Sequence, residues 1–189
     1  DTIDLPPRYV HPIPVELSPA ERHFYDALTA YIRGVARKAG GDGVRGARHL
    51  LPLITLQREA VSSAPAAIIT LQKMIARTSD RVKRASLQHL LHLAAAVQGS
   101  AKADALLQLI AQSDEQFLVF TEYRATQAYL LWRLEQAGIS HVGFDGSLSL
   151  GRREFAREWF RRHARVMVST ESGGEGINFQ FCRNVVNYD

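Results

Sequence analysis

Phe117-Leu118-Val119-Phe120-Thr121 is a run of five residues, four of them large and apolar, and the pattern around it decides the fold. A run this short, rich in aromatic and β-branched side chains, predicts a buried strand rather than a helix. Helical spacing follows over 125–137 and stops at Gly138, where glycine suits the left-handed end of a helix. The unit then repeats, with a strand over 139–144, a helix over 150–163, a third strand over 165–169 and a fourth over 184–188. Strands alternating with helices of this length imply right-handed crossovers. The expected fold class is therefore α/β, a parallel sheet with helices on both faces. In such sheets ligands sit beyond the carboxyl ends of the strands, which selects the loops beginning at Thr121, Asp145, Thr170 and Asp189.

Upstream the pattern is all-helical. Prolines at 6, 7, 12 and 14 predict an extended linker over 1–17, since proline lacks a donor and biases its predecessor toward extended backbone. Ser18-Pro19-Ala20-Glu21 then forms a capping box with proline at the first helical position, followed by Phe24, Ala27, Leu28 and Tyr31 at helical spacing. Gly40-Gly41-Asp42-Gly43 ends that helix, and three more are expected over 48–62, 64–77 and 80–97. Gly99-Ser100 closes this part, and Ser100 is placed to cap a helix carrying Ala103, Leu106, Leu107 and Ile110. Three regions result: a linker over 1–17, a helical segment over 18–98 and an α/β lobe over 99–189.

Bulk properties limit what the loops can mean. The 189 residues are 46% hydrophobic with a net charge of +4, enough to bury a core and compatible with a polyanionic partner. The single cysteine, Cys182, excludes an internal disulfide and a Cys-based zinc site, and is expected to be a small core hydrophobe. His89 and His92 stand at i and i+3 without a third ligand, so no metal site is expected. No apolar run approaches the roughly 20 residues of a membrane span, and the opening residues lack the pattern of a signal peptide. The expected location is cytoplasmic, associated with the nucleoid.

The loop after the third strand reads Ser169-Thr170-Glu171-Ser172-Gly173-Gly174-Glu175-Gly176-Ile177-Asn178-Phe179-Gln180. Three glycines in four positions let backbone amides approach a ligand, and Thr170, Ser172 and Asn178 add neutral donors, chemistry suited to phosphate or ribose. A plain turn needing positive φ is the alternative reading. By contrast, Gly41-Asp42-Gly43-Val44-Arg45-Gly46 fits the dinucleotide fingerprint G-x-G-x-x-G but follows a helix, and is read as an interhelical loop.

Val166 to Thr170 followed by Gly173 to Gln180 resembles motif V of Swi/Snf-type translocases, members of helicase superfamily 2. Val185-Val186-Asn187-Tyr188-Asp189 matches the strand that this family places next. Phe117 to Tyr123 resembles its motif IV, and Asp145-Gly146-Ser147 with Arg153 resembles the block between the two. Ser100-Ala101-Lys102 resembles the opening of the lobe, and Leu5-Pro6-Pro7 and 50–67 its connecting helices.

The resemblance implies the second RecA-like lobe of an ATP-dependent DNA translocase. The parent would use ATP and Mg2+ between two lobes, move along double-stranded DNA and act on a protein displaced from it. It implies DNA-backbone contacts at Thr121, Arg124, Ser147, Arg153, Thr170, Ser172 and Gly173, and nucleotide contacts at Glu175, Gly176 and Asn178. Gly174 and Gln180 would complete the loop that couples the two sites. The family's phosphate-binding Gly-Lys-Thr loop, its magnesium-binding acidic motif and its motif VI are not in the sequence, so no catalytic residue is expected here and the isolated chain is expected not to hydrolyse ATP. A strand-separating DNA or RNA helicase of the same superfamily, and a degenerate RecA-like binding module without turnover, are the alternatives.

Bland readings stand beside these roles. Arg153 has Glu154 and Glu158 as possible partners on its own helix. Arg161, Arg162, His163 and Arg165 suit the end of a helix dipole as well as they suit DNA. Trp132, Trp159 and Phe160 are expected in the core rather than as platforms for bases.

Overall fold

The computed structural model describes residues 9–39, 43–170 and 179–189. Its elements are α1 (Pro19–Ala39), α2 (Gly43–Ser62), α3 (Ala64–Arg77), α4 (Arg81–Ala95), α5 (Ala101–Ala111), β1 (Phe117–Thr121), α6 (Arg124–Gln136), β2 (His141–Phe144), α7 (Leu150–Arg162), β3 (Val166–Thr170) and β4 (Asn184–Asn187).

The four strands form one sheet in the order β2-β3-β1-β4, every pairing parallel. Side chains alternate across it. Phe117, Val119, Val166 and Val168 face a core built with Ala103, Leu106 and Ile110 of α5 and Leu130 and Leu134 of α6. Leu118 and Met167 face the opposite core with Ala156 and Phe160 of α7, Phe144 and Cys182. Helices cover both faces, as the strand–helix alternation predicts. The central strands read as continuous apolar runs because both of their faces are buried.

Local chemistry explains the boundaries. The Ser18 amide donates to Glu21 Oε2 at 2.8 Å and the Glu21 amide to Ser18 Oγ at 3.3 Å, the reciprocal capping box that starts α1. Ser63, Asp80 and Ser100 cap α3, α4 and α5 through their side chains. Gly138, at φ +67°, ends α6, with its amide bonded to the Glu135 carbonyl and the Ile139 amide to the Leu134 carbonyl. That turn uses the residues before His141, so β2 begins two residues later than the apolar pattern suggests.

The helical segment has its own apolar core, in which Phe24, Leu28, Leu56, Ala67, Leu71, Leu87, Leu90 and Ala94 are buried. Two sequence expectations fail here and in the lobe. Helix α2 starts at Gly43 and carries Pro52 within it, so 43–46 is helical rather than a loop; residues 40–42 lie outside the described residues. Trp132 and Trp159 are not core residues, being 56% and 44% exposed, whereas Phe160 is fully buried. Helical spacing finds a stripe of apolar residues but not its edges. Trp132 packs beside Tyr129, and Trp159 lies between Phe155 and His163 on the outer surface of α7.

Candidate functional site

The parallel register brings Thr121, Phe144 and Thr170 to one edge of the sheet, with Asp189 following β4 at the same edge. The strands are tied together near that edge by hydrogen bonds from buried groups.

Asp189 organises one side of the edge. Its Oδ2 accepts from the Thr121 hydroxyl at 2.7 Å and from the Glu122 amide. Thr121 is therefore buried and committed to the end of β4. Lys102, from the start of α5, sits 4.7 Å from the centre of the Tyr188 ring. Burial pushes its ammonium below the usual lysine range, and the nearby Asp189 carboxylate opposes that shift. Burial likewise raises the Tyr188 phenol.

The loop after β2 is a compact, braced turn. Asp145 Oδ1 accepts from the Ser147 amide at 2.7 Å and from the Ser147 hydroxyl, and the Leu148 amide closes the turn onto the Asp145 carbonyl. The Ser147 hydroxyl is the main reason the Asp145 carboxyl lies below its ordinary range, with the Arg124 and Arg153 charges adding to it. Arg153 donates to the Leu148 carbonyl at 3.0 Å and the Gly146 carbonyl at 2.8 Å. It pairs with neither Glu154 nor Glu158, which are held by Arg157 and Arg162. Arg153 thus shapes the turn from beneath.

Arg124 begins α6 with its guanidinium 70% exposed, 3.7 Å from Asp145 Oδ2 and 3.5 Å from Ser147 Oγ. Ser147 is exposed beside it, so these two groups face solvent at the edge. Thr170 is buried at the end of β3, and Gln180 is exposed in the turn leading to β4. Ser172, Gly173, Gly174, Glu175, Gly176 and Asn178 lie outside the described residues.

Two positions that sequence reasoning passed over support this edge. Gln127 is 5% exposed, and its side-chain amide donates to the Phe144 and Val168 carbonyls, both at 2.9 Å, strapping the end of β2 to the middle of β3. Thr126, fully buried, joins Ser62 Oγ at 2.7 Å and Ser63 Oγ at 2.8 Å. The available signal was the pair of polar residues in the buried first turn of a helix that follows an apolar strand.

The edge offers a guanidinium and a hydroxyl, groups that grip phosphates without reading bases. Among the described residues no group of His, Cys, Asp and Glu is arranged to hold a metal ion.

A parallel sheet with this order, helices on both faces and a polar edge at the strand ends defines a RecA-like lobe. Residues 101–189 match the helicase conserved C-terminal domain. The chain is 35% identical over 185 residues to the uncharacterized ATP-dependent helicase YqhH of Bacillus subtilis (strain 168), a match covering 96% of this chain and 32% of that protein. The chain thus spans about a third of the length of that relative. In fold it is similar to the C-terminal part of the Fun30 ATPase domain, with a TM-score of 0.67 at 19% identity over 98% of this chain and 76% of that one. It is also similar to the Sulfolobus solfataricus SWI2/SNF2 ATPase core solved in complex with double-stranded DNA. There the TM-score is 0.63 at 15% identity, over 93% of this chain and 33% of that one.

Proposed function

We propose that the chain supplies the second lobe, and the helical segment joining it to a first lobe, of an ATP-driven translocase acting on double-stranded DNA. The observation that carries this reading is the strand-end edge, where a braced turn holds the exposed Arg124 and Ser147 beside the end of the strand that leads into the glycine-rich loop. The match through the helical segment as well as the lobe, and the DNA complex of the Sulfolobus protein, support it.

In this reading Arg124 and Ser147 contact the DNA backbone directly, and Arg153 holds their turn in shape. Thr121 and Thr170 act through the strand ends on which their loops are built. Ser172 and Gly173 belong to the DNA side of the glycine-rich loop; Glu175, Gly176 and Asn178 belong to its nucleotide side, with Gly174 and Gln180 holding it. Closure of the two lobes around ATP would move them relative to each other, and hydrolysis of its phosphoanhydride would supply the energy of the cycle. Mg2+ would accompany the phosphates at the acidic motif of the first lobe. Closure would shift one backbone grip relative to the other.

The test is the ATPase rate of the full-length parent with duplex DNA, single-stranded DNA and RNA. Duplex DNA is expected to stimulate most, and stimulation by RNA alone would sink the assignment in favour of an RNA helicase. Parent and isolated chain separate the roles further: the isolated chain should show no turnover and only weak, salt-sensitive DNA binding. Replacing Gly176 by a bulky residue in the parent should abolish stimulated turnover.

A further inference from the structure

The first turn of α6 touches three parts of the molecule at once. Thr126 reaches outward to Ser62 and Ser63, the residues joining α2 to α3, in a cluster where all three side chains are at most 3% exposed. Gln127, the next residue, reaches inward to the Phe144 carbonyl at the end of β2 and the Val168 carbonyl in the middle of β3. Just ahead of them, Glu122 takes Arg58 of α2 at 2.6 Å while its amide goes to Asp189.

Buried hydroxyls and amides with every bond made have little freedom, since moving any one leaves a desolvated polar group unpaired. Gln127 uses both protons of its amide nitrogen on two different strands. The spacing of β2 and β3 is therefore fixed to the position of α6. Thr126 fixes α6 in turn to the helical segment.

We infer that Thr126 and Gln127 are positioning residues that hold the carboxyl-terminal ends of β1, β2 and β3 in one frame with the helical segment. The inference rests on reading the polar edge at those strand ends as the contact surface for the DNA backbone. In this arrangement a displacement of the helical segment reaches the strand-end loops through one helical turn. Neither residue touches DNA; both set the geometry of those that do.

The experiment uses the full-length parent and a duplex oligonucleotide, reading the DNA concentration for half-maximal ATPase stimulation and the rate at saturating DNA. Thr126→Val keeps the shape and removes the hydroxyl. It should raise the half-maximal concentration by at least about tenfold, since two buried hydrogen bonds are lost, and keep the saturated rate within about twofold. Gln127→Leu, which frees two carbonyls, should raise it further. Thr126→Ser should restore the wild-type value, an outcome that a loss of packing alone would not give.

Arg124→Ala is the direct-contact control. If it raises the half-maximal concentration while Thr126→Val and Gln127→Leu, folded by circular dichroism, do not, the positioning role is overturned and the contact surface stands. If none of the three moves it, the contact surface itself fails and the positioning role falls with it.

Discussion

The helical segment and the α/β lobe are built from opposite materials at their centres and at their join. Their apolar cores are separate: Leu28, Leu56, Leu71 and Leu87 are fully buried in the helical segment, while in the lobe Val119 and Ile110 are buried on one face of the sheet and Phe144 and Phe160 on the other. What connects them is polar. The Ser62–Ser63–Thr126 hydroxyls, the Arg58–Glu122 pair and the Glu21 carboxylate, which accepts from the Ala101 amide at 3.1 Å, make the joint. Apolar packing tolerates small slides, whereas buried hydrogen bonds hold one geometry. The difference teaches that each part is stabilised from within, while the joint fixes how the two are set against each other.

The sharpest way to break this comparison is to damage one core and watch the other. Phe160→Ala should cost the lobe about 3–5 kcal/mol, and Leu71→Ala should cost the helical segment about 2–5 kcal/mol. With separate cores, hydrogen exchange in each variant should accelerate mainly in the damaged part. Uniform acceleration in both variants would show that the joint welds the two into one cooperative unit.

A smaller effect comes from pH, and its sign differs between the two parts. Asp145 in the lobe has a depressed carboxyl, so its contribution is present above the ordinary aspartate range of about 3.9 and is lost as pH falls through the folded value. Asp145→Asn should therefore lower the thermal midpoint at neutral pH and matter progressively less on acidification.

Glu59 of α2 is the reverse case. Burial, above all, raises its carboxyl, and Glu122 adds to the shift against the Thr70 hydrogen bond and the Lys73 charge. Its folded form holds the proton more tightly than the unfolded chain, so ionisation at neutral pH opposes folding. Glu59→Gln should raise the midpoint at neutral pH, the gain shrinking as pH falls through the raised folded value and vanishing below the ordinary glutamate range of about 4.3. A loss at neutral pH would mean that the carboxylate is paired in solution.

The smallest expected effect is at the surface of the joint. The Arg58 side chain is 64% exposed, so Arg58→Ala should cost under about 1 kcal/mol, less at high salt, by chemical denaturation. A larger loss would move the strength of the joint from its buried hydroxyls to this ion pair.

Much of this was legible in the sequence because local rules govern it. The Phe117–Thr121 run, the Ser18–Glu21 capping box and the stop at Gly138 are decided by neighbours within a few residues, and the structure has each where those rules put it. Trp132 and Trp159 lie outside the buried stripe; periodicity ranks faces but does not say how wide that stripe is. Pro52 within α2 shows packing overriding a residue that disfavours helix. Arg153 has acidic neighbours within reach along its helix, yet the fold turns it to two carbonyls that no spacing rule connects to it.

By itself the sequence determined the alternation of strands and helices, and hence the edge of the sheet at which polar loops gather. Periodicity of apolar side chains is a property of the chain and survives any arrangement in space. Only the tertiary structure decided that Thr126 would meet Ser62 and Ser63, that Gln127 would bridge β2 and β3, and that Thr121 would be held by Asp189, 68 residues away. Those bonds join groups whose separation along the chain carries no energy until the two cores bring them together.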